Sequence, residues 1–304
     1  MKIKLIINFI AGSKKAKRYL PSIKSAIGGL GLKNELSVVP TGNIEETIDL
    51  SSNAVREQFD LIIAAGGDGT LNAVINGVMN AQSTFKYQTD VPIGFIPLGV
   101  TNVFALETGI PLDPIKACQV ILRHKIKKVD LVKIINPTPR YFISMAGIGF
   151  DAQVVKSLNP ALKELVGGKL AHILTGIHTL TRYHPEQFSI SSNQDKEQHT
   201  GYFAIIGNIK SYGGKFRITP QANLDDGFLD VCLFKSPRRR DILRYLWGVL
   251  TQQHLRFKDV EYLKAKKIKI SGDSKLWLQI DGEILEESPS EFEICPKAVS
   301  VILP

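Results

Sequence analysis

The chain has 304 residues, 44% apolar and 22% charged, which excludes a disordered or low-complexity protein and allows two ordinary domains or one large one. Its net charge of +9, from 38 basic and 29 acidic residues, suits a polyphosphate ligand, nucleic acid or an anionic membrane surface. Three widely spaced cysteines without a C-x-x-C pair exclude a disulfide framework or cysteine zinc site, and no apolar run reaches the ~18 residues of a membrane span, so we expect a cytoplasmic protein.

Lys4 to Asn8 reads as a buried strand, and Gly12 and Ser13 then open a helix carrying Ala16, Leu20, Ile23, Ile27 and Leu30 at helical spacing. Leu36 to Val39 is a second strand, closed by Pro40-Thr41-Gly42. Asn43 with Glu46 three residues on is a capping box for a helix running to about Gln58. Phe59 to Ile63 is a third strand, and Leu71, Val74, Ile75 and Val78 form one face of the helix beyond it. Ile93 to Ile96 is a fourth strand, running into Pro97-Leu98-Gly99-Val100-Thr101-Asn102. Asp113-Pro114 then caps a further helix. Strands alternating with helices predict a doubly wound parallel α/β sheet over residues 1–128, whose ligand site lies outside the C-terminal strand edges.

The turn Gly66-Gly67-Asp68-Gly69-Thr70 sits between a buried strand and a helix N-terminus, where backbone N–H groups gather around phosphate. A carboxylate beside phosphate needs a divalent cation between them, so this turn points to Mg-nucleotide. The plainer alternative is a tight turn with Asp68 as a helix cap.

Beyond Lys128, short strands at 129–135, 141–146, 188–192, 201–207, 228–234, 268–270, 276–280, 292–294 and 299–303 are joined by turn clusters such as Asn136-Pro137-Thr138-Pro139 and Ser271-Gly272-Asp273-Ser274. This predicts an antiparallel sandwich over 129–304, with the last strand free to pack back on the first domain. Two helices interrupt it, near 160–182 and 238–253. We read both as core helices, the alternative being a lipid-facing surface. Asn223-Leu224-Asp225-Asp226-Gly227-Phe228 reads as a cation site or as a plain Asp-Gly turn. Asp281-Gly282-Glu283 reads as a general base at a strand tip or as a solvated turn. The six histidines show no metal-ligand spacing, and no basic cluster is interleaved with aromatics, so no nucleic acid is expected.

Gly66 to Asn72, then Pro97-Leu98-Gly99 with Asn102, then Asp225 to Asp230, then Asp281-Gly282-Glu283 occur in this order and spacing over nearly the whole chain. Together they resemble the diacylglycerol kinase catalytic-domain family, which includes soluble bacterial lipid kinases and eukaryotic sphingosine and ceramide kinases. The resemblance implies an ATP- and Mg²⁺-dependent transfer of phosphate to the hydroxyl of a diacylglycerol-like, sphingoid or phosphatidylglycerol lipid, in a cleft between the domains. It places Asn8, Thr41, Gly66, Gly67, Asp68, Gly69, Thr70, Asn72, Gly99, Thr101 and Asn102 at the nucleotide, and Asp68 with Asp130 in a magnesium network. It places Asn223, Asp226 and Phe228 at a structural magnesium ion, and Glu283 as the general base. Phe9, Val100 and Val103 depart from the family pattern, Val100 by losing a hydroxyl and Val103 by losing a carboxylate. The implied partners are a lipid substrate and an anionic membrane surface, contacted peripherally, and an exposed sandwich edge could pair two subunits. Two rivals remain: a soluble NAD or sugar kinase with the same glycine loop, and a non-catalytic lipid- or nucleotide-binding regulator.

Overall fold

The computed structural model describes residues 1–10, 15–28, 35–85, 90–135, 139–157, 175–176, 179, 185–194, 197–212, 216–272, 276–285 and 291–304. The readings at Gly12, Ser13, Leu30, Asn136 to Thr138, Asp273-Ser274 and most of 160–182 fall outside them. The chain divides into two units, Met1–Val129 with Lys297–Pro304, and Asp130–Pro296.

In the first unit β1 (Lys2–Asn8), β2 (Glu35–Thr41), β3 (Leu61–Gly66) and β4 (Ile93–Pro97) form a parallel sheet in the order β2-β1-β3-β4. The central strands β3 and β4 are buried along their whole length because helices cover both faces, whereas the edge strand β2 is mostly half-buried. Helix α1 (Lys15–Gly28) packs with α5 (Pro114–Arg123), and α2 (Ile44–Arg56) packs with α3 (Asp68–Phe85). Between α3 and α5 lies the short α4 (Val103–Thr108). The Asn43 cap is present: its Oδ1 accepts the Glu46 N–H at 2.8 Å, and Glu46 accepts the Gly42 N–H at 3.0 Å. Asp113 likewise accepts from the Ile115 and Lys116 N–H groups.

Strand β5 (Ile126–Ile134) leads into the second unit. There β6 (Arg140–Phe142) pairs with β5, while β7 (Met145–Ile148) precedes α6 (Phe150–Ser157). Next come β8 (Phe188–Ser192), β9 (Gln198–Gly201), β10 (Phe203–Gly207), β11 (Ser211–Tyr212), β12 (Phe216–Arg217) and β13 (Leu229–Phe234). After α7 (Arg239–Leu250) follow β14 (Val260–Ala265), β15 (Lys267–Ser271), β16 (Leu278–Ile280), β17 (Glu283–Leu285) and β18 (Glu291–Ile302). One antiparallel sheet runs β14-β13-β10-β7-β16-β17. Opposite it, β15 pairs antiparallel with β8 and with the first part of β18, and β9 lies on β8. The core between these layers draws Phe142, Phe188, Leu229, Val231, Leu233 and Phe292 from both. This is an α/β domain followed by an antiparallel β-sandwich.

The expected strand 141–146 divides into β6 and β7, 201–207 divides between β9 and β10, and α6, β11, β12 and β17 are additional elements. Three further expectations change in a way that bears on the site or the surface. Residues 292–294 and 299–303 belong to one strand, β18, bent where Lys297 takes φ 49°; beyond that point Val301 pairs in parallel with Ile93 of the first unit's sheet. Strand β14 is new: it is an edge strand whose half-exposed Val-Glu-Tyr-Leu-Lys carries no buried face to read. Helix α7 is only half a core helix. Ile242, Tyr245 and Val249 are buried, whereas Leu243, Leu246, Trp247 and Leu250 face solvent.

Candidate active site

In the first unit the parallel register aligns the strand ends. Asn8 lies beside Thr41, Ile7 beside Ala65, and Gly66 beside Pro97, so the predicted turns share one sheet edge. The Gly66 carbonyl accepts the N–H groups of both Leu98 and Gly99, at 2.7 and 3.1 Å, tying the two glycine turns together. A Cβ on Gly99 would come within 2.6 Å of the Gly67 Cα, and one on Gly66 would strike the Thr70 hydroxyl. Only bare backbone fits there.

Helix α3 starts at Asp68, three residues before its apolar face begins, so Asp68, Gly69 and Thr70 form its first turn. Asp68 is a helix cap after all, but for another helix. Its carboxylate accepts the N–H groups of Val103 at 2.9 Å and Phe104 at 3.0 Å, the opening residues of α4. Helix α4 lacks a side-chain cap from Asn102, which stands in the left-handed region with φ 49°. The Asn102 amide donates to the Gly99 carbonyl at 2.9 Å, while its Oδ1 is buried with no hydrogen-bond partner among the described residues. A buried acceptor left unpaired is costly, and a ligand donor or a cation would satisfy it.

The other predicted residues differ in what they offer. Asn8 donates to the Thr70 hydroxyl at 3.2 Å. The buried Thr41 hydroxyl is held by Asn43, Glu46 and Thr47 in the α2 cap. Asn72 is buried inside α3 and accepts from Asn76. Thr101 is half-buried on the α4 approach, next to an exposed Val100.

In the second unit Glu283 opens β17 and pairs with Ile280 across the two-residue turn Asp281-Gly282. Both turn residues have positive φ, 45° and 89°, as a type I′ hairpin requires. Asp281 does not point into solvent: its carboxylate accepts the N–H groups of Ile143, Ser144 and Met145 at 2.9–3.1 Å. Gln279 accepts the Gly282 N–H at 2.9 Å and donates to Asp151 at 2.8 Å, and the Tyr212 hydroxyl donates to the other Asp151 oxygen. Burial pushes the Asp151 carboxyl upward. Burial also raises Glu283, with Arg140 at 3.9 Å opposing the shift. Asp151, Gln279, Tyr212 and Arg140 escape sequence reading because no two of them are sequence neighbours; they come from α6, β16, β11 and β6, which only the fold brings together.

The Asn223–Phe228 turn is clasped by Asp130, which is fully buried. Its N–H donates to the Leu224 carbonyl at 2.6 Å, and its carboxylate accepts the Gly227 N–H at 2.7 Å. Asp226 has both oxygens engaged, Oδ1 by the Phe228 N–H at 3.1 Å and Oδ2 by the Lys264 ammonium at 2.8 Å. Lys264 also stands 4.0 Å from the buried Asp230. Among the described residues no three His, Cys, Asp or Glu side chains converge on a metal position. A magnesium ion at Asn223, Asp226 and Phe228 would have to displace that ammonium, so these residues do not fit the expected ion and no chemistry is derived from one there.

Residues 2–134 match the diacylglycerol kinase catalytic domain family, and residues 144–303 match the YegS C-terminal NAD kinase beta sandwich-like domain. A diacylglycerol kinase of Staphylococcus aureus (strain MRSA252) is 30% identical over 301 residues, covering 99% of this chain and 92% of its own. The crystal structure of a diacylglycerol kinase from Bacillus anthracis str. Sterne superposes with TM-score 0.72 at 20% identity, covering 100% of this chain and 97% of that one. An NAD kinase from Archaeoglobus fulgidus, solved in complex with ATP, shares the fold with TM-score 0.54 at 11% identity, covering 99% and 93%.

Proposed function

The chain belongs to the diacylglycerol kinase catalytic-domain family, which makes it a lipid kinase, and on that premise we propose that it transfers the γ-phosphoryl group of ATP to a hydroxyl of a membrane lipid. The observation that carries this reading is the bare edge at Gly66, Gly67 and Gly99, with the unpartnered Asn102 Oδ1 beside it. A side-chain-free backbone at the mouth of a parallel sheet suits the close approach of a polyphosphate.

The lipid oxygen attacks the γ-phosphorus. The new O–P bond forms as the bond to the β–γ bridging oxygen breaks, and the hydroxyl proton passes to Glu283. Raised by burial, Glu283 suits the role of a base matched to a hydroxyl that sheds its proton during transfer. Magnesium accompanying ATP supplies neutralisation of phosphate charge when bound, and Asp68 and Asn102 are the residues of this edge that would face it. Asp281 and Gln279 hold the Glu283 turn in register. The lipid accepted is diacylglycerol-like, sphingoid or phosphatidylglycerol, each of which presents a hydroxyl beside apolar chains.

Incubation of the pure protein with labelled ATP and magnesium tests this, with diacylglycerol, sphingosine and phosphatidylglycerol in mixed micelles and NAD in buffer as acceptors. Label is expected in a lipid phosphomonoester. Transfer to NAD alone would overturn the reading in favour of a soluble kinase, and ATP binding without transfer would favour a regulator.

A further inference from the structure

Helix α7 carries two apolar faces. Ile242, Tyr245 and Val249 pack inward, and Gly248 leaves room for Phe257, whose ring a Cβ would meet. The second face consists of Leu243, Leu246, Trp247 and Leu250, which recur at i, i+3, i+4 and i+7 and so form one stripe. These four side chains are 50%, 39%, 67% and 50% exposed. A lone exposed leucine is ordinary, but three leucines and a tryptophan in one stripe are a surface built to be covered. At the head of the helix stand three successive exposed arginines, Arg238, Arg239 and Arg240. The acids near them are engaged: Asp241 with Ser236, and Asp259 with Arg244 and Tyr245. An arginine cluster at one end of a leucine–tryptophan stripe is complementary to a bilayer whose headgroups are anionic and whose interior is apolar.

We propose that α7 is the membrane-docking element, lying in the headgroup plane of an anionic bilayer with Leu243, Leu246, Trp247 and Leu250 inserted and Arg238–Arg240 on lipid phosphates. The proposal rests on the lipid-kinase reading and deepens it by naming the surface that meets the substrate's membrane. No described helix is long and apolar enough to cross a membrane, so attachment through α7 is interfacial.

The test uses the full chain and equimolar phosphatidylglycerol/phosphatidylcholine vesicles without nucleotide. Wild type is expected to float with the vesicles, and Leu243→Gln/Trp247→Gln to lose about tenfold or more in partitioning. In a Trp277→Phe background Trp247 is the remaining tryptophan, and its emission is expected to shift to the blue on vesicle addition. Arg238, Arg239 and Arg240 all changed to Gln should weaken binding and flatten its salt dependence. Unchanged flotation of the double variant, or no flotation of wild type, overturns the proposal. So does a change from dimer to monomer in the double variant, which would assign the stripe to a second copy of this chain. Turnover on a short-chain lipid in detergent micelles is read separately, so loss of docking and loss of kinase activity are distinguished.

Discussion

The Arg140 guanidinium stands 3.9 Å from the Glu283 carboxylate, a cation set against a carboxyl that burial pushes upward. A general base works ionised, so the rate should rise with pH through the folded-state pKa of Glu283, which lies above its ordinary 4.5. Arg140 favours the ionised form. Arg140→Gln should therefore move the acid limb of the kcat profile to higher pH while leaving the plateau nearly intact. Glu283→Gln should lower kcat by roughly 100- to 10,000-fold with ATP binding unchanged. Full turnover in Glu283→Gln would remove it from the base position.

Asp281 acts on the same hairpin from behind. Three amides of the 143–145 segment converge on its carboxylate, and each charge-assisted bond is worth more than a neutral one. Asn tolerates positive φ, so Asp281→Asn removes the charge without straining the turn. We expect a loss of about 1.5–3 kcal/mol in denaturant melts and a fall in kcat with little change in the KM for ATP. Equal stability of variant and wild type would show that the clasp is not what holds the turn.

A second buried acid sets a pH dependence of stability. Asp230 is fully buried, accepts from the Tyr262 hydroxyl at 2.7 Å, and is raised by burial to about 6 from its ordinary 3.8, with Lys264 opposing. Between those values the folded protein holds more protons than the unfolded chain, so stability falls as pH rises from about 4 to about 6 and then levels. Asp230→Asn should flatten that slope, and Lys264→Met should extend it upward. Because the Lys264 ammonium already engages Asp226, removing divalent cations from the nucleotide-free protein should leave Tm unchanged. A rise in Tm with magnesium would put an ion at Asp226 instead.

Much of this architecture is legible in the residues, and what escapes has physical causes. The first unit's central strands, β3 and β4, show because they are buried on both faces, and the caps at Asn43 and Asp113 because the partners lie within three residues. Helix α3 looks as if it starts at Leu71 because Gly69 and Thr70 carry no apolar signal, although they are helical. The family motifs point to Asp68 and Glu283 as sites, yet not to their partners. Asp68 meets Val103 and Phe104 across a sheet edge, and Val103, where the family often has an acid, contributes its backbone N–H. Nothing adjacent to Lys264 in the sequence points to Asp230, and only the pairing of β14 with β13 sets the two opposite each other. In α7 both faces are apolar, so spacing alone does not say which one the core takes.

The glycine pair on the nucleotide edge separates structural need from ligand need. A Cβ on Gly99 would press on the Gly67 Cα at 2.6 Å and on the Asn102 Oδ1 at 2.7 Å, and the first of these is backbone that cannot rotate away. Gly99→Ala should therefore cost about 1–3 kcal/mol of stability through overpacking, whatever it does to ATP. A Cβ on Gly67 would sit 3.5 Å from the Gly99 Cα, an ordinary contact, so Gly67→Ala should fold with near wild-type stability. If phosphate rests on that backbone, the added methyl group intrudes on the ligand alone, and ATP affinity measured by calorimetry should fall about tenfold or more with Tm unchanged. Unaltered ATP binding in Gly67→Ala would move the phosphates off this turn, because the only new atom in that variant stands where they are proposed to lie.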